Sequence, residues 1–194
     1  TPARPIWPRR AASIWPTRGA TSTPAAARTD ASHVNEAAAL PHAAEAPAQY
    51  GVVPQGQVLV DSGPLLALFN AADHWHARVV AWLQAHPALG LVSTWPVLTE
   101  VCALLARRVH NQAALDFLLW VERGGVRVDT PADISLSQMR RISQRFASLP
   151  LDLADASIAE AAERLGIRRI VSIDADFDVY RDARGKPLAN LLRS

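Results

Sequence analysis

The chain has 194 residues, 49% of them apolar, enough to bury one good core and too few for two large ones. Its formal charge of +2 lies wholly in the first fifty residues, where five arginines outnumber Asp30, Glu36 and Glu45; from position 51 onward 15 basic and 15 acidic side chains cancel. A net electrostatic pull on nucleic acid is thereby excluded for the folded part, and attraction to phosphates must come from local patches.

Residues 1–55 hold eight of the chain's 14 prolines and only one leucine, Leu40. Such a stretch buries too little apolar surface to offset its ordering entropy, so it reads as a disordered leader ahead of a single domain over 56–194. Its arginines suggest a transit peptide, but Pro2, Pro5, Pro8 and Pro16 break the amphipathic helix such a peptide needs.

From Gln57 the pattern turns to alternating strands and helices. Val58-Leu59-Val60 is a short buried strand, and Ser62-Gly63-Pro64 opens a helix through Leu65, Leu66, Leu68 and Phe69, with proline near its first turn. A helix over about 73–85 follows, with Trp75, Val79 and Trp82 or Leu83 on one face. Leu91-Val92-Ser93 is the second strand, and Thr94 with Pro96 starts the helix carrying Glu100, Leu104 and Leu105. A helix over 111–123 stops at Gly124-Gly125, where a left-handed residue is tolerated. Val126-Arg127-Val128 is the third strand, a helix follows over about 133–147, and Asp152 begins a helix closed by Gly166. Ile170-Val171-Ser172-Ile173 is the fourth strand. Strands separated by helices need crossover connections, which give a parallel sheet covered on both faces. The predicted fold is a three-layer α/β/α sandwich.

No run approaches the roughly 20 apolar residues of a membrane span, and the start lacks the apolar core of a signal peptide. The lone cysteine, Cys102, leaves no disulfide framework or thiolate zinc site and reads as a packing residue. These features predict a soluble, cytoplasmic protein without membrane association.

Ligands of open parallel sheets bind beyond the carboxyl ends of the strands. Asp61 directly follows the first strand and Asp174 the fourth; Glu100 lies in the second turn of the helix after the second strand, among Val97, Leu98, Val101 and Cys102. Asp155 lies in the first turn of the helix after Pro150. Four carboxylates held close together take up protons unless a cation compensates them. Mg²⁺, or Mn²⁺, does this well, because hard cations prefer oxygen ligands. Such an ion activates water and neutralises charge in phosphodiester hydrolysis. A glycine-rich phosphate loop and a paired-histidine motif are both missing, which argues against an ATPase or a zinc hydrolase.

These residues resemble a known family. Val60-Asp61-Ser62-Gly63-Pro64-Leu65-Leu66 resembles the opening of PIN domains, and Asp73-His74-Trp75-His76 the Asp-x-x-His segment of their VapC-type members. Leu98-Thr99-Glu100-Val101 resembles the helix bearing the family's glutamate. Leu151-Asp152-Leu153-Ala154-Asp155-Ala156-Ser157 resembles the third acidic motif, and Val171-Ser172-Ile173-Asp174-Ala175-Asp176-Phe177 the fourth. The four blocks occur in family order over about 58–181. The resemblance implies a magnesium-dependent endoribonuclease, the toxin of a toxin–antitoxin pair, with metal ligands at Asp61, Glu100, Asp155 and Asp174 and lesser claims for Asp152 and Asp176. It implies a tRNA or rRNA substrate cut to a 5′-phosphate and a 3′-hydroxyl, neutralisation by a cognate antitoxin, and homodimerisation.

Plainer readings compete at each position. Asp61 has the chemistry of a helix cap, and Asp152 with Asp155 has the spacing of a capping box; for Asp152 the cap is the stronger reading. Glu100 could pair with Arg107 or Arg108, and Asp176 could sit on a solvated loop. Ser62 and Ser172 suit hydrogen bonds to a ligand or water. His76, and Arg107, Arg108, Arg140, Arg141 and Arg145, are candidates for RNA contact that read equally as solvated helix faces. Trp75, Trp82, Trp95 and Trp120 read as core or interface residues. The alternative from another class is a catalytically silent PIN-like module that binds RNA or protein. A phosphatase with Asp61 as nucleophile needs a second acid two residues on, where this chain has Gly63.

Overall fold

The computed structural model describes residues 56–131, 133, 136–147 and 152–193. The expected leader over 1–55 lies outside the described residues. The elements run β1 (Gln57–Val60), α1 (Ser62–Phe69), α2 (His76–Ala85), β2 (Gly90–Thr94), α3 (Trp95–Arg108), α4 (Asn111–Glu122), β3 (Arg127–Asp129), α5 (Leu136–Arg145), α6 (Leu153–Leu165), β4 (Arg169–Val171), α7 (Asp176–Val179) and β5 (Ala189–Asn190).

Five strands form one parallel sheet in the order β3-β2-β1-β4-β5. The chain builds outward from β1 in one direction through β2 and β3, then returns to β1's other side for β4 and β5. The order therefore reverses between β1 and β4, the place where loops diverge and leave a crevice at the carboxyl ends. Val58, Leu59 and Val60 are 3% exposed or less, as expected of a central strand covered on both faces.

Flanking helices supply the rest of the core through Leu65, Leu98, Leu105, Phe117, Ile142 and Ile158. Phe117 meets Phe69 edge to face with centroids 5.4 Å apart, one of the arrangements aromatic pairs prefer. Helix α6 buries an unusually broad surface, Ala154, Ala156, Ser157, Ile158, Ala159, Glu160, Ala161 and Ala162, and its run of alanines lets neighbouring elements approach closely. It ends at Gly166 with φ 68°, a left-handed conformation that costs glycine little. Two buried acids on this side, Asp129 and Glu160, share the guanidinium of Arg164.

Several boundaries differ from expectation. The helix expected from 73 starts at His76, because the Asp73 side chain accepts from Trp75 N–H at 2.8 Å and folds that stretch into a turn. The expected fourth strand stops at Val171, and a fifth, only two residues long, was not foreseen. Helix α5 is described over Leu136–Arg145, with residues 148–151 of the following connection outside the described residues. No helix among the described residues is long and apolar enough to cross a membrane.

Candidate metal centre

Asp61 stands at the seam of β1 and β4. Its N–H still donates to Val171 O at 3.1 Å, so the ladder runs right up to the acid. One carboxylate oxygen accepts from Ser62 N–H at 2.6 Å, capping α1, and the other accepts from the Ser172 hydroxyl at 2.8 Å. Cap and cleft residue are thus one side chain, and neither reading excludes the other. Asp61 is 4% exposed. Burial pushes its pKa from 3.8 to about 6; the bonds from Ser172 and Ser62 oppose that rise, and the charges of Glu100 and Asp174 add to it.

Asp155 comes from the first turn of α6. Asp152 caps that helix, accepting from Ala154 N–H at 2.7 Å and Asp155 N–H at 3.1 Å, while Asp155 accepts from Asp152 N–H at 3.3 Å. This reciprocal box turns the Asp155 carboxylate back toward the start of the helix. Burial, then Asp61 and Asp152, push its pKa up to about 7, against the Asp152 backbone bond; Asp174 adds a smaller push in the same direction.

Asp174 is exposed in the turn after β4. Its N–H donates to Ser172 Oγ at 2.9 Å, and its own carboxylate accepts from Asp176 N–H at 2.9 Å. Burial and then Asp174 raise Asp176 above the usual carboxylate range. Glu100, half-buried on α3, completes the set.

All six predicted acids line one open cavity of about 340 Å³, together with Ser62, Gly63 and Ile173. A β-carbon at Gly63 would stand 3.4 Å from Ile173 Cβ and Cδ1, so the absent side chain lets the Asp174 turn close down on the start of α1. Among the described residues no lysine, arginine or histidine lines the cavity. Asp61 and Asp155, raised by burial and by the charges of their acidic neighbours, fit a hard divalent ion chemically. Among the described residues no group of three or more acidic, histidine or cysteine side chains is gathered closely enough to hold a metal ion. Mg²⁺, which usually takes one or two carboxylates and keeps several waters, asks least of such a set.

The competing readings are also placed. Neither Arg107 nor Arg108 forms an ion pair with Glu100 among the described residues; at seven and eight positions along a helix they stand roughly 11–12 Å away by rise alone. His76 bonds through Nδ1 to Ala67 O at 2.8 Å, anchoring α2 to the end of α1. Arg145 pairs with Glu163 at 2.9 Å, away from the cleft. Trp120 is in the core, Trp75 and Trp82 pack against it, and Trp95 is 56% exposed, so the core reading fails for Trp95. Cys102 is half-buried against the core, with its thiol pKa raised by burial.

One buried polar residue escaped sequence reasoning. Asn190, 8% exposed in β5, accepts from Ser172 N–H at 3.3 Å and donates to Ser172 O at 3.1 Å. A polar residue inside Leu188-Ala189-Asn190-Leu191-Leu192 was the one available signal.

Comparison with known proteins bears on the family and the fold. The PIN-domain family profile matches residues 58–183. Ribonuclease VapC26 of Mycobacterium tuberculosis is 28% identical over 117 residues, covering 60% of this chain and 86% of that protein. The crystal structure of VapC20 from the same organism, described as a sarcin-ricin loop cleaving toxin, superposes with a TM-score of 0.55 at 22% identity, covering 63% of this chain and 93% of that one. At that identity the likeness bears on the fold, and the fold is the same layered arrangement around a central parallel sheet. The four acidic blocks, the strand order and the profile match converge: the chain belongs to the PIN-domain family.

Proposed function

We propose that this chain is a metal-dependent endoribonuclease of the VapC toxin type, acting in the cytoplasm on a structured RNA. The observation that carries this reading is the cleft lined by six carboxylates and, among the described residues, no protein cation. The name of the VapC26 relative, a ribonuclease, supports the substrate class.

Asp61, Glu100, Asp155 and Asp174 are the side chains that would hold Mg²⁺ or Mn²⁺, with Asp152 and Asp176 at the rim. The bound ion supplies water activation and charge neutralisation at a phosphodiester. The protein's part is orientation. Asp61 is fixed in one rotamer by Ser62 N–H and Ser172 Oγ, and Asp155 is turned by the capping box. Without an ion, a cluster of acids repels the RNA backbone, so loading and substrate binding are coupled through charge. In the ion-free protein Asp155, pushed up to about 7, is partly protonated at neutrality, and Asp61, pushed up to about 6, takes up its proton in mildly acidic solution; each must be ionised to become a ligand. Outside the cleft, the reading includes a cognate antitoxin and a homodimer, which the resemblance of the sequence blocks to VapC-type PIN domains implies.

The test is cleavage of a total tRNA and rRNA preparation with Mg²⁺, with a chelator, and with Asp155→Asn in Mg²⁺. Cleavage confined to the first condition supports the proposal. Equal cleavage in all three marks a contaminating nuclease, and no cleavage in any favours a binding module.

A further inference from the structure

Ser172 lies just past the end of β4, yet it is fully buried and its hydroxyl touches two of the candidate ligands' groups: it donates to Asp61 at 2.8 Å and accepts from Asp174 N–H at 2.9 Å. Its backbone position decides where that hydroxyl stands. The backbone ladder between β4 and β5 reaches only as far as Leu191 N–H to Ile170 O, at 2.8 Å. Beyond it, the side-chain amide of Asn190 takes the place of a peptide group and pairs with both the N–H and the C=O of Ser172.

The amide has one orientation that fits. Its oxygen accepts from Ser172 N–H and from Leu192 N–H at 3.2 Å, and its nitrogen donates to Ser172 O and faces the Asp178 carboxylate at 3.5 Å. Turning it over would set donors against two N–H groups and an acceptor against a carbonyl and a carboxylate. Asp178 is held in turn by Arg193 at 3.1 Å, and Arg193 donates to Ile173 O at 2.9 Å. The turn carrying Ser172, Ile173 and Asp174 is therefore gripped from the C-terminal side at two successive carbonyls.

We propose that Asn190 is a positioning residue of the acidic cleft, acting through Ser172 to aim the Asp61 carboxylate and to seat the Asp174 turn. The inference rests on the metal-site reading above. Ser172 bridges the two sides of the strand-order reversal by a side chain to the buried acid, so a shift in its backbone moves the hydroxyl that both Asp61 and Asp174 use. Partners that orient ligands typically change metal affinity by 10–100-fold when removed.

Mn²⁺ binding, followed by calorimetry and by the EPR signal of free ion, tests this without any RNA substrate. Four proteins form the cycle: wild type, Asn190→Ala, Ser172→Ala and the double variant, each with its thermal midpoint recorded. The expected result is an affinity loss of about tenfold for Asn190→Ala, a comparable loss for Ser172→Ala, and no further loss when Asn190→Ala is added to Ser172→Ala. A purely structural role would lower the thermal midpoint while leaving the affinities additive, and would overturn the inference. So would an unchanged affinity in Asn190→Ala. If that variant does not fold, Asn190→Thr, which keeps a strand-favouring side chain but cannot span both Ser172 groups, takes its place with the same expectations. A wild-type protein that binds no Mn²⁺ removes the metal-site reading itself, and the inference with it. Binding that is insensitive to Asn190 removes the inference alone.

Discussion

Replacing Asp61 by Asn should make the metal-free protein more stable while removing its ability to hold an ion. The carboxyl is 4% exposed and its pKa rises from 3.8 to about 6 on folding. The native state therefore binds a proton more tightly than the unfolded chain. Stability linked to this group is fully present below pH 3.8, falls as pH rises toward 6, and is lost above it. The span of about 2 pK units corresponds to about 3 kcal/mol. Asparagine is neutral at every pH, keeps an oxygen for Ser62 N–H and can donate to Ser172 Oγ, so it recovers much of that loss. For a domain of this size the gain is about 10 °C in melting temperature. Thermal melts in EDTA at pH 4.5 and pH 8.5 decide it: Asp61→Asn should melt well above wild type at pH 8.5 and close to it at pH 4.5. A variant less stable than wild type at pH 8.5, or stabilised equally at both pH values, would refute the claim that Asp61 is a strained, buried acid awaiting a counter-charge.

Three further outcomes follow from the same contacts. Mn²⁺ binding should release protons near pH 6, because Asp61 and Asp155, raised to about 6 and about 7, must ionise to become ligands; calorimetry in buffers of different ionisation enthalpy should find the release vanishing at pH 8.5. Asp152→Ala should cost about 1 kcal/mol through loss of the α6 cap, and a change in Mn²⁺ affinity beyond a few fold would restore Asp152 to the ligand set. Arg164→Met should destabilise the protein by about 3 kcal/mol, because Asp129 and Glu160 stay buried without their shared cation; a melt within 1 °C of wild type would contradict that reading.

What was legible in the sequence is what local chemistry decides. Apolar triplets followed at once by an acid placed Asp61, and the spacing of Asp152 and Asp155 announced the capping box that the structure contains. Glu100 stood out because an acid among valines and leucines needs a reason to be there. The missed features depend on neighbours distant in sequence. β5 is two residues long and exists through pairing with β4, so no periodicity marks it. Asn190 acts across 18 positions on Ser172, and nothing within its own segment indicates that partner. The fourth strand was read too long because Ser172 and Ile173 continue an apolar pattern, whereas the side chain of Asn190 takes over the ladder there. For Trp95 only the core half of the expected core-or-interface role is ruled out, since a helix-start tryptophan looks the same in sequence whether it packs or faces solvent.

The central claim is that acids from β1, α3, α6 and the turn after β4 share one divalent ion. Crystals grown with Mn²⁺ at pH 8, recorded at a wavelength where manganese scatters anomalously, test it most directly. A peak within coordination distance of Asp61 and at least one of Glu100, Asp155 and Asp174 is the expected result. An empty cleft at saturating Mn²⁺, or a peak at another part of the surface alone, would contradict it.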